Sequence, residues 1–404
     1  MTYFEQSLSL HLARRGKWEI APKVPLNTRD DLSVAYTPGI AAVSEAIRDD
    51  RDAAYSLTMK GNSVAIVSDG SAVLGLGNIG PEAALPVMEG KAILFKRFAG
   101  IDGVPLVIQR QSPERTIEVI RALAPGFGGI NLEDIAAPEC FQIERALQDL
   151  GIPVFHDDQD GTAIVLLAAL LNAARVVGKP TETLRVVVNG AGAAGTAIAR
   201  LLRCVGHDPL VCTPVRSIVV CDSVGVVSPF RKDLNVEKFE LLSYTNHERK
   251  SGTLRDVLVD ADVFIGVSKG NLLTKQDIQL MAPDAIVFAM ANPIPEILPS
   301  DALLAGAKVA GSGRSDFANQ VNNVLAFPGI FRGALDVRAS RITPAMKLAA
   351  AHALAGCVEE PTAEKVLPSA FESGVAERVS AAVQKAAIQD GVARAVSANS
   401  PSGK

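Results

Sequence analysis

Four acids sit at the ends of two neighbouring apolar runs. Residues 130–132 lead into Glu133 and Asp134, and residues 152–156 lead into Asp157 and Asp158. Pro138 opens a helical stretch between them that Gly151 closes. Strand, helix and strand in that order form a right-handed parallel crossover. Both acid pairs then leave one carboxyl edge of a sheet, on strands that can be adjacent at ~5 Å. Anions gathered there repel one another unless a cation neutralises them. Oxygen ligands without Cys or His spacing point to Mg2+ or Mn2+, not zinc. One such pair alone reads more simply as solvated loop acids or helix caps; two pairs on linked strands favour a metal. His156 reads as a packed residue, not a ligand.

Lys91 is the second chemical candidate. On a helix expected over 81–98, Ala84, Met88, Phe95 and Phe98 form an apolar stripe. Lys91 falls inside it, whereas Lys96 and Arg97 lie off it. Desolvation lowers an ammonium pKa, and a nearby cation lowers it further, so Lys91 can serve as a general base near neutral pH. The alternative is a snorkelling lysine whose head reaches water. Tyr36, just before a Thr37-Pro38 helix start, offers a phenol as general acid; a buried core tyrosine is the commoner reading. Asn292-Pro293 closes an expected strand at its ligand-binding edge, and Asn322-Asn323 precede another apolar run. Either pair can simply organise a turn.

A cofactor signal follows. Residues 185–188 run into Gly190-Ala191-Gly192-Ala193-Ala194-Gly195 and then an Ala-rich helix. Gly190 permits a tight turn, Gly192 lets backbone approach a pyrophosphate, and Gly195 lets helix and strand pack closely; the helix start offers free N–H groups. Asp222 ends the next strand, where a carboxylate accepts from a ribose hydroxyl. Asp222 would repel a 2′-phosphate, which gives a slight lean to NAD over NADP; Arg231 and Lys232, close in sequence, act the other way. A second match, Gly75-Leu76-Gly77-Asn78-Ile79-Gly80, lacks an acid closing a following strand and reads as a Gly-rich turn lining a cleft.

The elements that must position these groups alternate between short β-branched runs and helical patterns. Strands are expected at 64–67, 104–108, 152–155, 185–188, 218–221, 263–267 and 285–289. Helices are expected at 81–98, 138–150, 162–177 and 192–204. This is α/β architecture with mostly parallel sheets. The expected organisation is an N-terminal α/β substrate and metal domain at 1–158, a Rossmann-type dinucleotide-binding domain at 159–335, and a helical C-terminal tail at 336–404 packing back on the body. In the tail, Thr343 caps a helix, Pro344 sits at its first position and Gly356 follows its last turn.

The 404 residues exceed one ordinary core, and 48% hydrophobic with 21% charged residues is a globular balance. A net charge of −4 gives no reason to expect nucleic acid. The five cysteines show no C-x-x-C spacing. They are expected as unpaired small hydrophobes of a reducing compartment. The start lacks a signal-peptide pattern. The apolar run 164–171 is broken by Asn172 and Arg175, short of the ~20 residues of a bilayer span. The expectation is a cytoplasmic protein with no membrane or nucleic-acid partner.

The chain resembles the malic enzymes, specifically the short bacterial form, from about Leu32 to Asp336. The resemblance rests on Val34-Ala-Tyr36-Thr-Pro-Gly, the Gly-rich run from Ser68 to Gly77, Met88-Glu-Gly-Lys91, Lys96-Arg-Phe-Ala-Gly-Ile-Asp102, Asn131-Leu-Glu-Asp-Ile135, Phe155-His-Asp-Asp-Gln159, Ala291-Asn-Pro293 and Asn322-Asn-Val-Leu-Ala-Phe-Pro-Gly329. It implies NAD(P)- and metal-dependent oxidative decarboxylation of malate to pyruvate in a homodimer. Lys91 would be the base on the malate C2 hydroxyl, Tyr36 the acid that protonates the enol carbon, and Glu133, Asp134 and Asp158 the metal ligands. Asn292 and Asn323 would hold substrate and nicotinamide. Two departures stand out. Asp160 replaces a residue that is often His or Gln, adding charge beside the metal. Ala72 stands where larger relatives carry an arginine for the substrate carboxylate. An oxaloacetate decarboxylase without net redox change is the nearest alternative, which the intact dinucleotide loop disfavours; a malolactic-type enzyme ranks below it.

Overall fold

The computed structural model describes residues 2–73 and 75–395. Two parallel sheets carry the chemistry. The first contains β1 (Ser63–Ser68), β2 (Asp102–Val107), β3 (Gly129–Leu132) and β4 (Val154–His156), in spatial order β2-β1-β3-β4. Every residue of β1, β3 and β4 is buried. That explains their continuous apolar character, since helices cover both faces of a parallel sheet. In the second sheet, β5 (Arg185–Asn189), β6 (Ser217–Asp222), β7 (Gly225–Val226), β8 (Val263–Gly266), β9 (Ala285–Ala289) and β10 (Ala307–Ser312) lie in the order β10-β9-β8-β5-β6-β7. Only β7 is antiparallel, paired with β6. Neighbours β6 and β8 flank β5 on opposite sides, so the strand order reverses there and opens a ligand crevice.

Most expected strands and helices are present, but β7, helices Tyr3–Arg14 and Arg29–Ala35 and some shorter helices were not anticipated, and two further differences are instructive. β10 was not expected: Ala307-Lys-Val-Ala-Gly-Ser has one β-branched residue, and its burial beside β9 decides its conformation. The helix expected over 138–150 spans only Glu139–Ala146, after which tighter turns continue to Gly151.

Helix Thr162–Val177 is the central element. It is apolar on nearly all sides because it is buried on nearly all sides. The stretch Asp157–Val177 has the length and hydropathy of a bilayer span, but two-thirds of its most apolar window lies inside the protein. Asn172 does not break it; its Nδ2 donates to the carbonyls of Ala355 and Val366, so the buried amide is satisfied.

Helices Phe327–Asp336, Pro344–Ala355 and Val375–Gln389 pack together and against the body. Gly329 and Gly333 allow Val379 and Val383 to approach: a Cβ on either glycine would fall within 2.9 Å of those side chains. Four aromatic rings tie these helices to the first sheet. Phe95 lies 4.7 Å from Phe327 and 5.3 Å from Phe331, and Phe155 lies 5.9 Å from Phe331, all edge-on.

The N-terminal segment behaves differently. Helices Tyr3–Arg14, Arg29–Ala35 and Ile40–Asp49 bury none of their residues. Their link to the body includes Lys17, which donates its backbone N–H to Glu89 and its Nζ to the Pro86 carbonyl.

The cysteine expectation needs correction. Cys204 and Cys212 form a disulfide, while Cys140, Cys221 and Cys357 are free. Eight residues of tight turn bring the pair together, a closure that Cys spacing alone did not signal.

Candidate active site

The register of β3 and β4, Ile130 beside Val154 and Leu132 beside His156, sends the next residues of both strands off the same edge. Glu133 and Asp134 therefore meet Asp157 and Asp158. One carboxylate oxygen each from Glu133, Asp134 and Asp158 can be chosen so that all three lie within 4.8 Å of one another. Backbone geometry shapes this group. Asp134 adopts a left-handed conformation (φ 54°), and its N–H donates to Asp158 Oδ2 at 2.7 Å. Residues Asp157–Gly161 form one wide π-helical turn, so consecutive acids diverge: Asp158 turns toward Asp134 and Asp157 toward Lys91.

Lys91 is only 7% exposed, so it does not snorkel. Its Nζ lies 2.5 Å from Asp157 Oδ2, 2.8 Å from Glu133 Oε1 and 4.3 Å from the Phe327 ring centre. This corrects the expected pKa shift. Burial alone would lower it, but Asp157 and Glu133 outweigh burial and hold Lys91 as an ammonium, its pKa above the ordinary value. The carboxyl groups move the other way. Burial, reinforced by their mutual repulsion and opposed by Lys91, raises Glu133 to about 7, Asp134 to about 9 and Asp157 to about 7. Asp158 rises to about 6 for the same reasons.

A divalent cation fits this donor set. Three hard oxygen ligands converge, Asp134 Oδ2 is buried without a hydrogen-bond partner, and one lysine cannot balance four acids. His156 is fully buried with both ring nitrogens unpartnered, and burial lowers its pKa to about 4, so it is a neutral packed residue. Asp160 pairs with Lys347 of helix Pro344–Ala355, which offsets its charge, and the Glu144 carboxyl lies beside the same pair.

Asn323 reaches the cluster: its Cβ lies against the Gly161 backbone, where an added methyl would come within 3.2 Å. The second Gly-rich run is a turn. It caps helix Pro81–Ala99, and Gly75, with positive φ, packs so closely on the Asn292 carbonyl that a Cβ would sit 2.6 Å from it. The Gly-rich turn after β1 thus meets the loop after β9, and Asn292 bridges the two sheets. Tyr36 stands apart. It is 66% exposed on the N-terminal segment, and no hydrogen bond among the described residues joins its hydroxyl to the cluster.

At the reversal point of the second sheet, Gly190 has φ 128°, and a Cβ at Gly195 would lie 1.7 Å from the Gly190 carbonyl oxygen. Gly192 caps helix Ala193–Leu202 and faces open space. A cavity of about 670 Å3 lies against it, lined by Asn189, Gly190, Ala191, Gly192, Asp222 and Lys238 among others. Ala193 and Ala194 form the first turn of the helix behind the glycines.

Asp222 departs from expectation: Arg231 and Lys238 bond both of its oxygens, with contacts of 2.7–3.0 Å. Sequence reasoning also missed Glu296. It is fully buried and accepts from the backbone N–H groups of Ser268 and Ala291, fixing the loops after β8 and β9. Its surroundings, Pro293 to Pro299, carry no motif. Asp157 was visible only as part of an acid pair; its contact with Lys91 depends on the wide turn.

A dinucleotide turn, a crevice at a strand-order reversal and a buried acid–lysine cluster define an α/β nucleotide-dependent oxidoreductase. Known proteins narrow the class. The family profile "Malic enzyme, NAD binding domain" matches residues 159–388, and "Malic enzyme, N-terminal domain" matches 15–113. The Bacillus subtilis "bifunctional malic/malolactic enzyme" is 55% identical over 98% of this chain and 95% of its own length. The Geobacillus stearothermophilus "NAD-dependent malic enzyme" is 52% identical over 96% and 80%. The solved Thermotoga maritima NAD-dependent malic enzyme superposes with a TM-score of 0.89 at 47% identity, covering 94% of this chain and 98% of that one. This chain belongs to the malic enzyme family.

Proposed function

We propose that this chain oxidises and decarboxylates (S)-malate to pyruvate and carbon dioxide with reduction of NAD(P)+, using a divalent cation. The observation that carries this reading is the buried contact of Lys91 with Asp157 and Glu133 beside three converging carboxylate ligands. Relatives named as NAD- and NADP-dependent malic enzymes at 44–52% identity support the same reaction.

Glu133, Asp134 and Asp158 would hold Mg2+ or Mn2+, and the 190–195 turn with Asn292 would hold the dinucleotide. The bound metal supplies Lewis-acid polarisation of the substrate's C2 oxygen, and the nicotinamide supplies the hydride acceptor. Lys91 must lose its proton before it can take one. Asp157, 2.5 Å away, is the acceptor in direct contact with it. Neutral Lys91 then takes the proton of the C2 hydroxyl. Asn323, fixed against Gly161, orients the substrate. Tyr36 protonates the enol carbon.

The exposed position of Tyr36 supports a homodimer in which a second copy completes the site. Tyr3, Phe4, Leu8, Leu12, Val34 and Ile40 are also exposed on this segment, an apolar surface that a second copy would cover.

The deciding experiment incubates purified protein with malate, Mn2+ and each cofactor, scoring pyruvate, carbon dioxide and reduced nucleotide together. Consumption of oxaloacetate with no nucleotide reduction from malate would defeat the redox reading. The name of the 55%-identical relative favours one second reading, a malolactic side reaction. Lactate formed without free pyruvate would establish it here.

A further inference from the structure

The wide turn Asp157–Gly161 is held from two sides. On one side Asp157 accepts from Lys91 Nζ, and Asp158 accepts from the Asp134 N–H. Both of those partners belong to the acid cluster itself, where carboxylates repel one another. On the other side the turn is gripped by two helices that contribute nothing to the cluster. Asp160 accepts from Lys347 Nζ of helix Pro344–Ala355. Gln159, itself buried, donates its Nε2 to Glu144 Oε2 of helix Glu139–Ala146 at 3.0 Å. Among the described residues no second cation is paired with Asp160.

The lysine grip is firmly anchored. Helix Pro344–Ala355 starts on Thr343, whose hydroxyl accepts from the Met346 N–H and donates to Asp390. The helix packs against Thr162–Val177, into which the turn runs, and against Val375–Gln389. Arg200 also faces Lys347, but it is bonded to Glu240 at 2.8 Å and does not compete for Asp160. Lys347 and Asp160 border a cavity of about 360 Å3, so the ammonium has room to turn aside. Charge, not confinement, keeps it on Asp160.

We propose that Lys347 is a positioning residue for the metal site: by holding Asp160 from the C-terminal helices, it fixes the turn that brings Asp158 to Asp134 and Asp157 to Lys91. Asp160 lies two positions after Asp158, so a turn that swings at Asp160 carries the ligand with it. The proposal rests on the metal reading of Glu133, Asp134 and Asp158.

Charge alone and positioning predict opposite signs. Removing an ammonium near a cation site makes that site more negative and should tighten Mn2+ binding. Loosening the turn should weaken it. Calorimetric titration of the full chain with Mn2+, without substrate, reads the difference. Lys347→Met should raise the Mn2+ dissociation constant by about tenfold or more, as loss of groups that orient metal ligands does. Lys347→Arg, which can keep the ion pair, should stay within about threefold of the parent. The double variant Asp160→Asn with Lys347→Met leaves no unpaired charge to threaten folding, and it too should bind Mn2+ weakly. It decides the question if Lys347→Met alone proves unfolded by circular dichroism. Affinity for 5′-AMP should not change in any of these proteins. Tighter or unchanged Mn2+ binding by Lys347→Met overturns the proposal, as does parent-like binding by the double variant. A parallel loss of Mn2+ and 5′-AMP also overturns it, since that marks a general loosening. A parent that binds no Mn2+ refutes the metal reading itself, and this proposal with it.

Discussion

At the scale of single residues, the cluster is governed by a shortage of positive charge. Among the described residues Lys91 is the sole cation paired with Glu133 and Asp157, and Asp134 and Asp158 add two more acids to the same buried site. Replacing Lys91 by Ala should cut kcat by about a hundredfold to ten-thousandfold, the usual worth of a positioned acid–base group. Dinucleotide affinity, followed by fluorescence titration, should barely change; undiminished turnover would remove Lys91 from the chemistry. Replacing Asp158 by Ala should raise the Mn2+ concentration needed for half-maximal activity, and an unchanged requirement would contradict its place among the ligands.

The same charge shortage makes stability depend on pH. Glu133, Asp157 and Asp158 have folded-state pKa values of about 7, 7 and 6, above the ordinary carboxyl range. Such groups favour the fold while protonated and withdraw that support as pH rises from the unfolded value toward the folded one. Metal-free protein should therefore have a lower Tm at pH 8 than at pH 5.5. Added Mn2+ should raise Tm more at pH 8, because ligand carboxylates must be ionised to bind it. An equal Mn2+ shift at both pH values would mean that these acids are not the ligands.

At the scale of elements, the wide turn Asp157–Gly161 aims two consecutive acids at different partners, and helix Phe327–Asp336 locks the first sheet to the C-terminal helices. Gly161 has no room for a side chain: a Cβ would lie 1.9 Å from Asp157 Oδ1. Gly161→Ala should displace Asp157 from Lys91 and depress kcat while sparing nucleotide binding at the 190–195 turn. Loss of nucleotide binding as well would indicate general unfolding, which circular dichroism would reveal. Phe331 is fully buried between Phe95 and Phe155. Phe331→Ala should cost about 3–5 kcal/mol in denaturant unfolding, as large aromatic truncations in cores do.

At the scale of the whole molecule, the arrangement places Lys91 deep in one chain and Tyr36 on a segment that buries almost nothing in it. If Tyr36 serves a second copy, Tyr36→Phe and Lys91→Ala proteins should each be inactive alone. Mixed dimers formed by co-expression should regain part of the parent activity, because one of their two sites has both groups intact. Activity absent from the mixture, with dimers verified by light scattering, would place Tyr36 in the site of its own chain or outside the reaction.

Much of this was written in local sequence. Apolar runs specified eight of the ten strands, Thr343-Pro344 marked a helix start, and the glycines at 190, 192 and 195 declared a dinucleotide turn, because each signal depends only on residues a few positions apart. The acid pairs were placed on one sheet edge by the handedness of a single crossover, another short-range rule. What the chain order could not decide was which charges face each other across space. The pairing of Asp157 with Lys91, of Lys347 with Asp160, and of Lys238 with Asp222 spans 66, 187 and 16 positions. Those contacts set the protonation of the lysine, the ion pair at Asp160 and the character of the ribose end, since Coulomb energies depend on distance and burial and neither is visible along a linear chain.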